Sequence, residues 1–196
     1  MSPRPKKNQQ HANLQEAIKE IAWLQIAESG APALSLRAVA RKLGITAPAI
    51  YNYYPNRDAL VTALIVDAFT SLGSTQRETV ASLPALDHTS RLVRLGLAYR
   101  EWAVAYPQRY QLIFGTPIPG YHAPADVTVL AAAWALAPLI ETLQAANQAG
   151  SLRLDRSAPL SPALNAMLLA WSDFAGGVDR ELLYAALVIW SRVPGL

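Results

Sequence analysis

Residues 34–58 read LSLRAVARKLGITAPAIYNYYPNRD, and this stretch decides the fold. Ser35 stands where an N-cap would precede a helix, since Leu36, Val39, Ala40 and Leu43 recur at helical spacing after it. Gly44 can take the left-handed conformation that ends many helices, and Thr46 offers a hydroxyl to cap a second one. Pro48 fits the first turn of that second helix, where its missing N–H costs little, and Pro55 stops it by pushing Tyr54 away from helical geometry. The spacing therefore predicts helices over residues 36–43 and 47–54 joined by a tight turn. That is the arrangement by which a helix-turn-helix lays side chains into the DNA major groove.

Working outward, a helix over residues 12–29 carries Leu14, Ile18, Ile21 and Leu24, with Gly30 after it, and would brace the pair as the third member of a bundle. If Ala38, Val39, Leu43, Ile45 and Ile50 pack inward, then Arg37, Arg41, Lys42, Thr46, Tyr51, Asn52 and Tyr53 face solvent, with Ala47 and Pro48 at the start of the reading helix. These are donors and aromatics suited to phosphates and base edges. A helical hairpin with a merely solvated basic face is the plainer alternative, and the turn chemistry and charge together favour DNA. After Asn56, a plausible N-cap, a long helix from Arg57 to about residue 76 would connect this bundle to the rest of the chain.

Charge supports the same division. Residues 1–65 hold eight basic and four acidic side chains, the remainder nine and ten, and all four lysines lie in the first segment. The absence of cysteine excludes disulfides, thiolate catalysis and cysteine-ligated zinc, and fits a cytoplasmic setting. The first eleven residues, MSPRPKKNQQH, are basic without an apolar run, so we expect a flexible arm and not a secretory signal. The most apolar stretch, residues 127–140, contains Pro138 and is shorter than the roughly 20 residues a bilayer crossing needs, so no membrane span is expected.

The remainder predicts an all-α protein. Helices are expected over residues 89–105, 107–114, 126–149, 161–175 and 179–192, with an irregular loop GTPIPGYHAP up to Pro124. The domain plan is a basic arm (1–11), a helix-turn-helix domain (12–56), a connector helix (57–80) and a second helical domain (81–196).

At the helix-turn-helix the chain resembles the tetracycline-repressor (TetR) family of bacterial one-component regulators. The family's pattern is met by Leu43, Gly44, Ile45, Thr46, Ala49, Ile50, Tyr51, Tyr53, Tyr54, Arg57 and Leu60. The resemblance implies that Thr46, Tyr51 and Tyr53 touch the DNA backbone and that Arg57 holds a phosphate. Tyr53 stands where histidine is common and Arg57 where lysine is common, and both can still donate to a phosphate. A second resemblance covers LAYREWAVAYPQRYQLIFGTPIPGY, which is similar to the C-terminal domain called WHG in part of that family; Trp171 and Gly176 match its Trp-His-Gly signature, while Ala175 occupies the histidine position.

The resemblance implies a ligand-responsive transcriptional regulator, most simply a repressor that binds a pseudo-palindromic operator as a homodimer and is released by a small apolar or aromatic effector. Trp102, Tyr106, Tyr110, Phe114, Tyr121, Trp134, Trp171 and Asp173 are the candidate effector residues, although core packing is the simpler role for any one aromatic. Leu164, Leu168, Trp171, Leu183, Leu187 and Trp190 are the candidate dimer face, on the helix pair that docks against its symmetry mate in the family. A transcriptional activator of the same fold and an all-helical protein-protein adaptor are the alternatives. No Gly-rich phosphate loop, metal-ligand spacing or nucleophile motif points to an enzyme, a metal or a cofactor.

Overall fold

The computed structural model describes residues 7–83, 87–154, 160–174 and 177–192, and among them it is all-α with no strand. The helices are α1 (Lys7–Ser29), α2 (Leu36–Leu43), α3 (Ala47–Tyr51), α4 (Arg57–Ala81), α5 (His88–Ala105), α6 (Pro107–Phe114), α7 (Ala125–Gln148), α8 (Pro162–Phe174) and α9 (Arg180–Arg192). A 3-10 turn, Ala31–Ala33, links α1 to α2.

Three boundaries differ from expectation by more than one residue, for local reasons. Helix α1 begins at Lys7 and not at residue 12, because nothing in KNQQH breaks a helix; the expected arm is helical from Lys7, and residues 1–6 lie outside the described residues. Helix α3 stops at Tyr51, short of residue 54: the amides of Tyr53 and Tyr54 both reach back to the Ile50 carbonyl, at 3.0 and 3.1 Å, which closes the chain into a turn before Pro55. Helix α4 runs on to Ala81, since RETVA carries neither glycine nor proline.

The chain divides into two compact units, one of Met1–Ala68 with Pro107–Pro124, the other of Phe69–Tyr106 with Ala125–Leu196. This division differs from the expected plan of 12–56, 57–80 and 81–196. The division falls inside α4, and α6 with its loop groups with the helix-turn-helix although the chain enters it from the second unit. The first unit is built on Ile18, Ala22 and Ile26 of α1, Val39 and Ala40 of α2, Ile50 of α3 and Leu60, Val61 and Leu64 of α4, all buried.

The second unit centres on α7. By length and composition this helix could cross a membrane, yet half of its apolar window is buried inside the protein. Leu136, Leu139, Ile140 and Leu143 form a cluster with Leu168 of α8 and Leu182, Leu183 and Ala186 of α9. Close approach of α4 to α7 depends on Gly73: a Cβ there would lie 2.7 Å from the Trp134 ring and 3.1 Å from the Ala135 Cα. The Arg77 guanidinium stacks 3.7 Å from the centre of the same ring.

Candidate nucleic-acid interface and effector cavity

The reading head is set by its turn. Ser35 accepts the Ala38 amide at 3.5 Å and caps α2, and Gly44 ends it with φ of 67°. The Gly44 amide donates to the Arg41 carbonyl at 3.2 Å and the Ile45 amide to the Ala40 carbonyl at 3.0 Å, a Schellman closure that satisfies two of the last carbonyls of α2. Thr46 occupies the N-cap of α3, but its hydroxyl makes no capping bond, contrary to expectation, because Pro48 already removes one of the amides it would serve. The Thr46 hydroxyl is left exposed at the head of α3.

The segment before α2 is clamped from two sides. From α1, the Gln25 carboxamide donates to the Ala33 carbonyl at 3.3 Å and accepts the Ser35 amide at 3.2 Å. From α4, Arg57 donates Nε to the Leu34 carbonyl at 3.2 Å and Nη2 to the Ala31 and Pro32 carbonyls, each at 3.1 Å. Its Nη1 lies 3.8 Å from Asp58. The guanidinium expected to hold a phosphate is thus engaged with this unit's own backbone, a planar fork donating to three carbonyls in and beside the 3-10 turn. The sequence signal for this, an Arg just inside α4, was read only in terms of DNA; Gln25 was missed altogether.

A second knot ties α1, α4 and α6. Asp67 receives Lys19 Nζ at 2.8 Å and the Trp23 indole at 3.3 Å, with Arg109 of α6 at 4.0 Å. Arg109 also lies over the Trp23 ring, 5.2 Å from its centre. Burial opposes the charge on Lys19, but its hydrogen bonds to Asp67 and Glu16 and their Coulombic attraction outweigh that and hold the ammonium above its ordinary value of 10.5.

These braces leave a row of side chains toward solvent. Arg37, Arg41, Lys42, Thr46, Pro48, Tyr51 and Asn52 are exposed, while Ala47, Tyr53 and Arg57 are half-buried. Arg37, Tyr51 and Arg57, contributed by three different helices, line one shallow groove of about 370 Å³ together with Ser35, Pro55 and Asn56. The N-terminus of α2, with its positive dipole end, opens at this groove. Lys42 donates to both Glu28 oxygens at 3.1 and 3.4 Å, a solvent-exposed pair of about 0–1 kcal/mol that a phosphate could replace.

In the second unit the expected aromatics do not assemble into a pocket. Trp102 is core, its indole donating to Ser71 at 3.0 Å. Tyr106 is exposed at the end of α5, and Trp134 is the exposed platform for Arg77. Tyr110, Phe114 and Tyr121 belong to the first unit, where the Tyr121 hydroxyl meets Thr62 at 2.9 Å and the Tyr110 and Phe114 rings lie 5.4 Å apart. Trp171 packs on the α7–α9 cluster. The Asp173 side chain, with Ala175 and Gly176, lies outside the described residues.

A cavity of about 100 Å³ is lined by Gln76 of α4, Leu92, Leu95, Gly96 and Tyr99 of α5, Ala135, Leu136 and Leu139 of α7, and Ile189 and Trp190 of α9. The leucine pairs 92/95 and 136/139, at i and i+3, carry no sequence signal separating cavity wall from core, so this set of residues was not legible in advance.

The expected dimer face also needs correction. Leu168 and Leu183 are fully buried within their own chain, and Leu164, Trp171, Leu187 and Trp190 pack against that cluster, so this stripe is the inner face of α8 and α9. The outward face of α8 presents Ala163, Ala166, Met167 and Ala170, an i, i+3, i+4, i+7 row that is exposed throughout. Arg180 ties the two helices by donating to Asn165 Oδ1 at 2.8 Å and to Glu181.

Known proteins bear on this geometry at both ends of the chain. Residues 20–64 match the model of bacterial regulatory proteins of the tetR family, and residues 92–196 that of the tetracyclin repressor-like C-terminal domain. The HTH-type transcriptional regulators Mb1846 of Mycobacterium bovis and Rv1816 of Mycobacterium tuberculosis are each 30% identical over 190 residues, covering 97% of this chain and 81% of theirs. Among solved structures, that of the regulatory protein SCO4313 superposes with a TM-score of 0.73 at 37% identity, over 99% of this chain and 85% of the other. The TetR-family regulator PfmR from Thermus thermophilus shares the fold, with a TM-score of 0.55 at 14% identity over 90% and 96% of the two chains. With the helix-turn-helix, the C-terminal helical domain and full-length relatives in agreement, the chain belongs to the TetR family of DNA-binding transcriptional regulators.

Proposed function

We propose that this regulator is a repressor that binds a pseudo-palindromic operator as a homodimer in the cytoplasm, and that a small apolar effector entering the α4–α5–α7–α9 cavity releases it. The observation that carries DNA reading is the exposed row Arg37, Thr46, Pro48, Tyr51 and Asn52, held on a braced turn with its hydrogen bonds satisfied internally. In this reading α3 enters the major groove with Thr46, Tyr51 and Asn52 foremost. Arg37 and Lys42 supply phosphate contacts, and Arg57 acts chiefly by fixing the 31–34 segment.

Dimerisation uses the outward face of α8, where small side chains around Met167 allow a second copy to approach closely. Two reading heads then meet half-sites about 34–36 Å apart. Helix α4 is continuous from Arg57 to Ala81 and carries Gln76 into the cavity wall, so an occupant acts on a helix that begins at the reading head. A near-complete switch needs the effector to prefer the released form by about 5.5 kcal/mol.

The test uses DNA fragments selected from the source chromosome and fluorescence anisotropy at low and moderate salt. Tyr51→Ala should lose about tenfold or more in affinity, whereas Val104→Ala, on the exposed side of α5, should match the wild type. Equal affinity for Tyr51→Ala and wild type would remove α3 from the reading.

A further inference from the structure

The cavity in the second unit has largely apolar walls with one carboxamide among them. Its lining contains no Asp, Glu, Lys, Arg or His, and five of its ten residues are leucine or isoleucine. Beside the Tyr99 and Trp190 rings, Gln76 is the polar side chain of the lining: it is 5% exposed, and among the described residues its carboxamide has no hydrogen-bond partner. Its amide atoms are not sealed off, so a group that enters the cavity can reach them and supply the missing partner.

We propose that the effector is an uncharged, largely apolar molecule bearing a single carbonyl or hydroxyl, and that Gln76 receives that group. This deepens the reading of the cavity as the effector site and rests on it. A charged effector would lose its hydration against walls that offer no counter-charge, so both acids and amines are selected against. A purely apolar one would leave the carboxamide unpaired. Size adds a consequence: about 100 Å³ is below the 150 Å³ of an engineered cavity that takes up benzene, so a ring-sized occupant must widen the cavity by displacing its walls.

The position of Gln76 gives the bond a consequence. It lies one turn beyond Gly73, where α4 comes so close to α7 that the Trp134 ring would be 2.7 Å from a Cβ. There is no slack at that crossing. A ligand bonded to Gln76 therefore acts on α4 at its tightest point, and α4 is the helix whose first residue, Arg57, clamps the segment before α2.

The experiment measures binding of ring-sized probes to the full-length protein by ligand-observed NMR. The probes are cyclohexanone, cyclohexanol, methylcyclohexane, cyclohexanecarboxylate and cyclohexylamine. For the wild type we expect cyclohexanone and cyclohexanol to bind about tenfold more tightly than methylcyclohexane, with no saturable binding of the two charged probes. Gln76→Leu, of similar volume, should abolish or invert that preference while still binding methylcyclohexane; Gln76→Met replaces it if the leucine variant does not fold. An unchanged preference in the variant, or saturable binding of a charged probe, overturns the role of Gln76 and leaves the cavity as effector site intact. Failure of every probe to bind both proteins overturns the cavity reading and this proposal with it.

Discussion

The two units of the chain use polar side chains in opposite ways. In the first, polar side chains brace the backbone and one another: Gln25 and Arg57 hold the segment before α2, and Asp67 collects Lys19, Trp23 and Arg109. The reading surface is therefore preorganised, and its exposed donors are left for another molecule. In the second unit the core is almost wholly apolar, and a buried amide faces a cavity without a partner. The first unit is built to present groups outward at fixed geometry. The second keeps a small, largely apolar cavity in its core.

The sharpest way to break this comparison lies in the second unit, where two substitutions on one helix pair should part company. Leu183→Asp places an unpaired carboxylate in the α7–α8–α9 cluster and should cost about 3–5 kcal/mol, enough to unfold the unit. Met167→Asp, on the exposed face of α8, should leave the helical content intact and lower the mass measured by light scattering from dimer to monomer. A folded Leu183→Asp protein would mean that the stripe we place inside faces out.

Arg57 sharpens the other side. Arg57→Lys keeps the charge but cannot bridge three carbonyls, so as a clamp it should lose about 1.5–3 kcal/mol in urea unfolding and bind DNA more weakly. A variant as stable as wild type, with unchanged DNA affinity, would return Arg57 to a simple phosphate contact.

The smallest expected effect comes from Lys19. Its pKa is raised in the folded state, so its contribution is complete below the unfolded value and is lost as pH rises through the folded one. Lys19→Met should cost about 1 kcal/mol at pH 7, and the gap to wild type should narrow as pH rises past the ordinary lysine value of 10.5. A gap that stays constant would mean that packing and not charge holds α1 to α4.

These contrasts also explain what could be read from the sequence. The turn was legible because Ser35, Gly44, Pro48 and Pro55 each force a local backbone choice, and such choices survive folding. The all-α class and most helix boundaries followed from the same punctuation. What failed was whatever depends on which faces meet. Leu168 and Leu183 have the periodicity of either a core or an interface, and only the presence of α7 on their side decides it. The aromatics could not be sorted for the same reason: Trp102 and Trp134 look alike in sequence, yet one bonds Ser71 in the core and the other lies under Arg77 at the surface. Segment 107–124 could not be placed by chain order, because α6 belongs to the unit that precedes the chain around it by forty residues or so.

The central claim is that a paired, braced reading head contacts DNA through α3. Footprinting of the wild-type protein and of Tyr51→Ala on selected chromosomal fragments tests it most directly. The account predicts two protected half-sites related by a dyad, their centres about one helical turn apart, weakening steeply with salt and absent for Tyr51→Ala. Protection without symmetry, or symmetric protection that survives Tyr51→Ala, would contradict it.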